Sequence, residues 1–102
     1  MIETYDLSNP LKPTIGKDPD AVLDYSENWA AWLAQITDTI LSVTVDAESP
    51  LIVQGEPTFG GGVVSAMIGG GTLGKTHRVT FTIFTAGSRK DQRSIYLRMI
   101  AR

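Results

Sequence analysis

The sequence predicts an all-β domain, built as a small sandwich or barrel, on the basis of three observations. Several segments alternate apolar and polar side chains with a period of two, which is typical of half-buried strands. Clusters rich in glycine and proline separate these segments and indicate turns. The chain has 102 residues, the usual size of one domain. Short strands with turns at this spacing are the signature of a small sandwich or barrel.

Composition excludes several classes of function. The hydrophobic fraction of 42% is that of a globular domain, and nine basic against eleven acidic residues give a net charge of -2. We therefore expect neither nucleic acid nor a membrane as a partner. The sequence has no cysteine, which excludes disulfides, thiolate nucleophiles and cysteine-based metal sites. The first residues lack the basic and apolar regions of a signal peptide, so we expect a protein that is made in the cytoplasm.

Residues 1–20 differ from the rest of the chain. Pro10, Pro13 and Pro19 punctuate this segment, and proline favours extended backbone at itself and at the residue before it. We predict an extended N-terminal arm over residues 1–20, with room for a short edge strand. The alternative is a poorly ordered terminus. The sandwich is then expected to span residues 21–102.

The first part of the sandwich has an ambiguous segment. A strand-like run begins at Val22, Leu23 and Tyr25. It is followed by apolar residues at helical spacing, namely Trp29, Trp32, Leu33 and Ile36. Asn28 or Ser26 would serve as the N-cap of such a helix. A strand with an irregular end fits the same residues, and one short helical turn within a β domain fits both signals.

The rest of the chain is predicted as strands and turns. The strands are expected over residues 41–46, from residue 51 to near residue 57, and over residues 63–68, 77–84 and 94–99. The turns are expected at residues 48–50, 60–62, 69–71 and 87–91. The total is six to seven strands.

Residues 69–76, GGGTLGKT, match the phosphate-binding pattern G-x-x-x-x-G-K-[ST]. A phosphate-binding loop must lead into a helix, whose N-terminal N–H groups complete the anion site. Here Thr76 leads instead into a β-branched and aromatic run with a period of two, which favours a strand. We therefore predict that residues 69–76 form a glycine-rich hairpin connection, and that no nucleotide binds there.

Other candidate residues also have a structural interpretation. His77, the one histidine, is predicted to face solvent from a strand, since no serine nucleophile in a suitable context lies near it. The nearby acids lack the spacing of a calcium loop and are predicted to form a solvated edge. These acids are Asp18, Asp20, Asp24 and Glu27. The basic residues of the C-terminal third are assigned to an outer strand face.

Trp29 and Trp32 leave three alternatives open. A domain of this size needs large aromatic side chains in its core, and we predict that both tryptophans lie there. A stacking platform for a sugar and a protein interface are the other two interpretations. The sugar platform is the basis of an alternative function, a carbohydrate-binding β-sandwich module.

The order of several motifs resembles a known family. The motifs are residues 17–25 (KDPDAVLDY), 28–33 (NWAAWL), 38–40 (DTI), 70–80 (GGTLGKTHRVT) and 91–95 (DQRSI). Together they resemble the small structural proteins of tailed bacteriophages and prophages called fiber-tail adaptors, or tail-associated Ig-like proteins. The resemblance runs from about Lys17 to Arg98. It implies an immunoglobulin-like β-sandwich without catalytic activity or cofactor, acting as part of the virion.

The resemblance also implies how such a protein acts. An adaptor repeats one interface around a symmetric ring, so we expect a homo-oligomer that contacts neighbouring tail, connector or fiber proteins. The N-terminal arm and the polar, glycine-rich turn tips are the expected contact regions. The candidate interface residues are Pro10, Pro13, Gly61, Ser88, Arg89 and Lys90.

Overall fold

A computed structural model describes residues 14–101, which form seven strands and one short helix. In chain order these are β1 (Thr14–Lys17), β2 (Leu23–Asn28), α1 (Ala30–Ile36), β3 (Ile40–Ala47), β4 (Leu51–Gly60), β5 (Val63–Gly70), β6 (Thr76–Thr85) and β7 (Lys90–Met99). No helix in this part of the chain is long and apolar enough to cross a membrane.

The strands form two sheets. The first sheet has the order β1-β7-β6-β3 and the second has the order β2-β5-β4. In an immunoglobulin sandwich, the sheet that contains the second, fourth and fifth strands packs against the sheet that contains the third, sixth and seventh strands. Apart from β1, the two sheets of this protein contain the same strands. The first strand joins the sheet of the seventh strand by parallel pairing, with Thr14 opposite Tyr96 and Lys17 opposite Met99. The predicted all-β, immunoglobulin-like sandwich is confirmed.

The core lies between the two sheets. The period-two pattern places alternate side chains of β5, β6 and β7 inside, where they are almost completely buried. These core residues are Val64, Ala66, Ile68, Val79, Phe81, Ile83, Ile95, Leu97 and Met99. Trp29 and Leu33, from the segment between β2 and β3, complete the core at one end.

The glycine-rich segments form two kinds of connection: hairpins within one sheet and a link between the two sheets. Gly61 and Gly62 join β4 to β5 in a tight hairpin in which both residues have positive φ, 58° and 82°. Residues 86–89 join β6 to β7 within the first sheet. Residues 71–75, in contrast, link β5 in the second sheet to β6 in the first. The prediction of a hairpin at residues 69–76 is therefore wrong, although the predicted strand after Thr76 is confirmed.

The ambiguous segment contains a helix of two turns. Trp29 is the N-cap residue, and the side chain of Asn28 accepts a hydrogen bond of 2.8 Å from the Ala30 N–H. The predicted N-cap is thus displaced by one residue, although Asn28 does satisfy a free N–H of the first turn. Thr37 ends the helix in the left-handed conformation at φ 51°, which returns the chain to β3.

Candidate functional site

Three segments meet at one end of the sandwich, which we call the tip end: α1, the β4–β5 turn at residues 60–62 and the β6–β7 turn at residues 86–89. The Trp29 N–H donates a hydrogen bond of 2.8 Å to the Gly62 carbonyl, which joins α1 to the first turn. The Gly87 N–H donates a hydrogen bond of 3.0 Å to Asp38 Oδ1, which joins the second turn to the residues after α1. The tip end is therefore one connected surface.

A groove of about 400 Å³ opens at the tip end between α1 and the β4–β5 turn. Its walls include the apolar side chains of Leu33, Ile40 and Phe59. Phe59 is 44% exposed, although it lies opposite the buried Val64 in the sheet register. Its side chain therefore lies on the core side of β4, but it is partly open to solvent because the strand ends there.

Asp38 fixes the shape of the β6–β7 turn. Besides the Gly87 N–H, its carboxylate accepts a hydrogen bond of 2.9 Å from the Arg89 guanidinium. A side-chain hydrogen bond with Thr85 is the largest of several contacts that lower the pKa of Asp38 to about 2, and the Thr39 N–H, Arg89 and Gly87 add to it against the opposing effect of desolvation. The carboxylate therefore remains ionised throughout the physiological pH range.

The structure brings the predicted turn residues together. Gly61 lies at the β4–β5 turn, Ser88 and Arg89 lie at the β6–β7 turn, and Lys90 is the first residue of β7; all four are exposed. The Arg89 guanidinium is engaged by Asp38, so its freedom to bind a partner is reduced. The Lys90 ammonium lies 5.6 Å from the centroid of the Phe84 ring. Pro10 and Pro13, the other candidate interface residues, lie outside the described residues.

The tip end is held to the sandwich by a buried cluster around Trp29, which is fully buried. The indole Nε1–H donates a hydrogen bond of 2.7 Å to Asp91 Oδ2, and the Arg93 guanidinium lies 4.6 Å from the centroid of the indole ring. Arg93 also donates a hydrogen bond of 2.8 Å to the Asn28 carbonyl and lies 3.8 Å from the buried Glu27 carboxylate. The motifs at residues 28–33 and 91–95 therefore contact each other and join the two sheets.

The burial of Trp29 and Trp32 tests the prediction that both side chains lie in the core. Trp29 lies in the core, as predicted, and its ring presents no free face to a sugar. Trp32 is half-buried and packs against the core cluster. Glu27 was predicted within a solvated acidic edge, but only 2% of it is exposed because it faces the Arg93 guanidinium inside the sandwich. The predicted edge is therefore wrong for Glu27.

A second buried contact joins two further motifs at the opposite end, which we call the base end. Lys17 is fully buried, and its ammonium donates hydrogen bonds of 2.9 Å to the Asp18 carbonyl and 2.8 Å to the Gly70 carbonyl. Burial lowers the pKa of Lys17, and the nearby Asp18 and Asp20 carboxylates oppose this shift. The lysine thus ties β1 to the end of β5.

His77 is buried at the base end, and the prediction that it faces solvent is wrong. Only 8% of the residue is exposed. Its Nε2 accepts a hydrogen bond of 3.2 Å from the Thr72 N–H, and its Nδ1 lies 3.8 Å from Glu48 Oε1. The odd-numbered residues of β6 face the core, and His77 extends that series to the end of the strand, where it supports residues 71–75.

The phosphate-binding pattern lies at the base end without the geometry that binds phosphate. Residues from Thr76 onward form β6, so no helix N-terminus follows Lys75. Gly71 instead provides room for the core, since a Cβ there would collide with the Met99 side chain. Within residues 14–101, no group of three or more histidine, aspartate or glutamate side chains is arranged to hold a metal ion.

Exposed apolar residues near the tip end were missed by the sequence analysis. Leu41 is 67% exposed beside a register shift in β3, and Phe59 borders the groove. The available signal was the position of Phe59, directly before the glycine run at residues 60–62, where the sandwich can no longer cover it.

Comparison with protein families gives a match over most of the chain. The family model described as "Podophage GP4 fiber-tail adaptor protein gp77" matches residues 17–98. No curated protein matches the chain. The matched range begins at Lys17 and includes Trp29, Asp91 and Arg93, so it contains both of the buried contacts described above.

Proposed function

Because the chain belongs to the podophage GP4 fiber-tail adaptor family, we propose that it is a non-catalytic virion protein that assembles in a symmetric ring between neighbouring tail, connector or fiber proteins. The match to residues 17–98 carries this proposal, since it spans nearly all of the sandwich, from the last residue of β1 to the last residue but one of β7. The protein would be made in the cytoplasm of the bacterial host before it joins the particle.

The positions of the motif residues support a division of roles. Trp29 and Lys17 are fully buried and hold the two sheets and the first strand in place. They are therefore not available to a partner. Binding falls instead to exposed groups, and the tip end offers an apolar groove with two polar turns beside it. We propose that Gly61, Ser88 and Lys90 contact a neighbour in the virion.

A ring explains how such a small surface can be sufficient. The groove and the two turns provide a limited contact area, and small interfaces are weak when they act alone. Identical contacts repeated around a ring act together, because each bound copy holds the next partner at high local concentration. We propose that the N-terminal arm, which contains Pro10 and Pro13, adds a further contact outside the sandwich.

The proposal is tested by recovery of the tagged protein from its host after phage induction, with identification of the proteins that accompany it. Tail, connector or fiber proteins are the expected result. A matched sample that carries a deletion of residues 2–12 should fold normally, since β1 begins at Thr14, but should recover fewer of them. Recovery of no phage protein, with normal particles formed in the absence of this chain, would contradict an adaptor role.

A further inference from the structure

The outer face of the second sheet carries a patch of exposed apolar side chains. Val22 is 46% exposed, Ile52 is 56% exposed and Met67 is 42% exposed. Ile52 lies opposite Gly69 in the register of β4 with β5, and a Cβ on Gly69 would lie 3.1 Å from the Val22 side chain. These side chains are therefore neighbours on one surface, and such a cluster of exposed apolar groups is typical of a contact with another protein.

The strands of this sheet add negative charge beside the apolar patch and no positive charge. β2, β4 and β5 contain neither lysine nor arginine. Asp24 lies opposite Met67 in the register of β2 with β5, and both residues line a cleft of about 240 Å³ together with Glu56. Asp24 and Glu56 are both exposed. This surface, which we call the acidic face, therefore suits a partner that brings an apolar side chain and a positive charge.

Residues 71–75, which we call the base loop, offer that combination. Leu73 is 60% exposed, and Lys75, two residues later, is exposed as well. Elsewhere in residues 14–101, Arg89 is held in an ion pair and Lys90 lies against an aromatic ring. The remaining exposed basic side chains of this range lie on the flat outer face of the first sheet. The base loop thus presents an apolar side chain and a cation together at one projecting turn.

Hydrogen bonds hold the base loop in one shape. The Lys75 N–H donates a hydrogen bond of 3.0 Å to the Thr72 carbonyl across a β-turn, in which Gly74 has φ 82°. The Thr72 N–H donates to His77 Nε2 at 3.2 Å, and the Gly74 N–H donates to the Met99 carbonyl at 3.0 Å. Because the loop is already ordered, less conformational entropy is lost when it binds.

We infer that the base loop of one copy docks on the acidic face of a neighbouring copy. Leu73 packs against the apolar patch, and the Lys75 ammonium enters the cleft between Asp24 and Glu56. The same chain supplies both complementary surfaces, which is the reason that the partner is a second copy. The inference rests on the proposed function, which requires contacts between copies in a ring.

The spacing and the symmetry of the contact fit this assembly. Met67 in the cleft and Gly69 beneath the patch are two residues apart along β5, which is roughly 7 Å in a strand. Leu73 and Lys75 are also two residues apart, so one loop reaches both parts of the acidic face. The contact is heterologous because the loop and the face are different surfaces, and such contacts close into rings when their rotation permits.

Exchange of the two charges tests the contact through the oligomeric state of the purified full chain, measured by sedimentation velocity. Lys75→Glu sets like charges against each other and should weaken association about tenfold, and Glu56→Lys should do the same. A chain with both substitutions regains an opposite pair at every contact, because each copy contributes one loop and one face. Its association should return toward that of the wild type, and a double variant that associates no better than the single variants would overturn the inference.

Asp46→Lys is the matched control for the acidic face. Asp46 is also an exposed carboxylate, but it lies on β3 in the first sheet. Its reversal should neither weaken the association of the wild type nor restore that of Lys75→Glu. Equal restoration by Asp46→Lys and Glu56→Lys would show an effect of net charge alone and would count against the proposed contact.

Disulfide trapping locates the contact, because the natural sequence contains no cysteine. One preparation carries Leu73→Cys in the base loop, and a second, with a different tag, carries Met67→Cys on the acidic face. When the two are mixed and oxidised, a disulfide between the two chains is expected. Ser88→Cys, at an exposed residue of the β6–β7 turn, should form little disulfide with Met67→Cys. Equal trapping of Leu73→Cys and Ser88→Cys would contradict docking by the base loop.

A purified chain that stays monomeric at high concentration and forms no such disulfide would also overturn the contact between copies. If Lys75→Glu then still lowered the recovery of phage proteins, the base loop would bind a different protein. Neither result would remove the adaptor role, because that role is measured by the phage proteins recovered from the host. Conversely, trapped copies that recover no phage protein would support the contact and contradict the adaptor role.

Discussion

At the residue scale, a few polar side chains join parts of the sequence that lie far apart. The indole of Trp29 meets Asp91 across a separation of 62 residues, and the ammonium of Lys17 meets the Gly70 carbonyl across 53 residues. A buried polar group is expensive to leave without a partner, so each pair favours one arrangement of its elements over alternatives. The motif residues Lys17, Trp29 and Asp91 therefore have a structural role rather than a role in binding a partner.

Replacement of Trp29 by phenylalanine should destabilise the sandwich. Trp29→Phe removes buried volume and the donor to Asp91, and we expect a loss of about 2–3 kcal/mol in the free energy of unfolding. Trp32→Phe is the matched control, and because Trp32 is half-buried its loss should remain below about 1 kcal/mol. Urea unfolding followed by far-ultraviolet circular dichroism measures both, and equal losses would contradict the role given to Trp29.

The contacts of Asp38 predict a dependence of stability on acid. Its pKa in the folded protein is about 2, below the ordinary value of 3.8, so the carboxylate contributes stability above pH 3.8 that is lost as the pH falls through about 2. The melting temperature of Asp38→Asn should therefore decline less steeply between these pH values than that of the wild type. Asp46→Asn, at an exposed aspartate on β3, should keep the wild-type slope. An unchanged slope in Asp38→Asn would argue against these contacts.

At the element scale, the position of α1 depends on the β4–β5 turn beneath it. Gly62 has φ 82°, and a Cβ on it would lie 2.7 Å from the Ala30 Cα, where no side chain can give way. Gly61 has a similar φ of 58° but has open space around it. A substitution at Gly61 therefore has only the cost of backbone strain, whereas a substitution at Gly62 adds the cost of a collision with α1.

Alanine at these two positions should have unequal effects. Gly61→Ala should cost about 1 kcal/mol of unfolding free energy through left-handed backbone alone, whereas Gly62→Ala should cost about 2–4 kcal/mol because α1 must also move. Thermal unfolding of the two variants makes the comparison. If Gly61→Ala were the more damaging of the two, the contact between the turn and α1 would not be supported.

The strands were largely predictable from sequence because each relies on a local pattern. The alternation in β3, β6 and β7 and the glycines beside β5 indicate both their type and their approximate bounds. The parallel pairing of β1 with β7 was not predictable from local sequence, because it depends on which strand edge is available once the other strands have paired. The burial of Glu27 and His77 was missed for a similar reason, since their partners Arg93 and Thr72 are defined only by the fold.

At the scale of the whole molecule, the two ends of the sandwich differ in character. The tip end combines the groove with exposed turn residues, whereas the base end is closed around Lys17 and His77. The candidate site was predictable only in part, since polarity and glycine indicate turn tips but do not reveal that Gly61 and Lys90 belong to the same end. The groove depends on the position of α1 above the β4–β5 turn, which the sequence left open.

Charge reversal at each end should show which end of the sandwich binds the phage partners. Lys90→Glu alters an exposed residue at the tip end, and Arg98→Glu makes the same change on the same strand toward the base end. We expect Lys90→Glu to reduce the recovery of phage partners about tenfold, which corresponds to ~1.4 kcal/mol of binding, and Arg98→Glu to reduce it much less. Quantitative mass spectrometry of the recovered proteins measures this. A larger loss from Arg98→Glu would move the interface away from the tip end.

The parallel pairing of β1 with β7 also determines how the protein carries tension. Thr14 lies at the end of β1 nearer to the tip end, so a pull on Thr14 toward that end acts parallel to the strand. The hydrogen bonds between β1 and β7 are then sheared together instead of being opened one after another. The buried Lys17 ammonium lies at the far end of the same strand and resists the same displacement. A pull on Thr14 toward the tip end would therefore load this junction in its mechanically strongest direction.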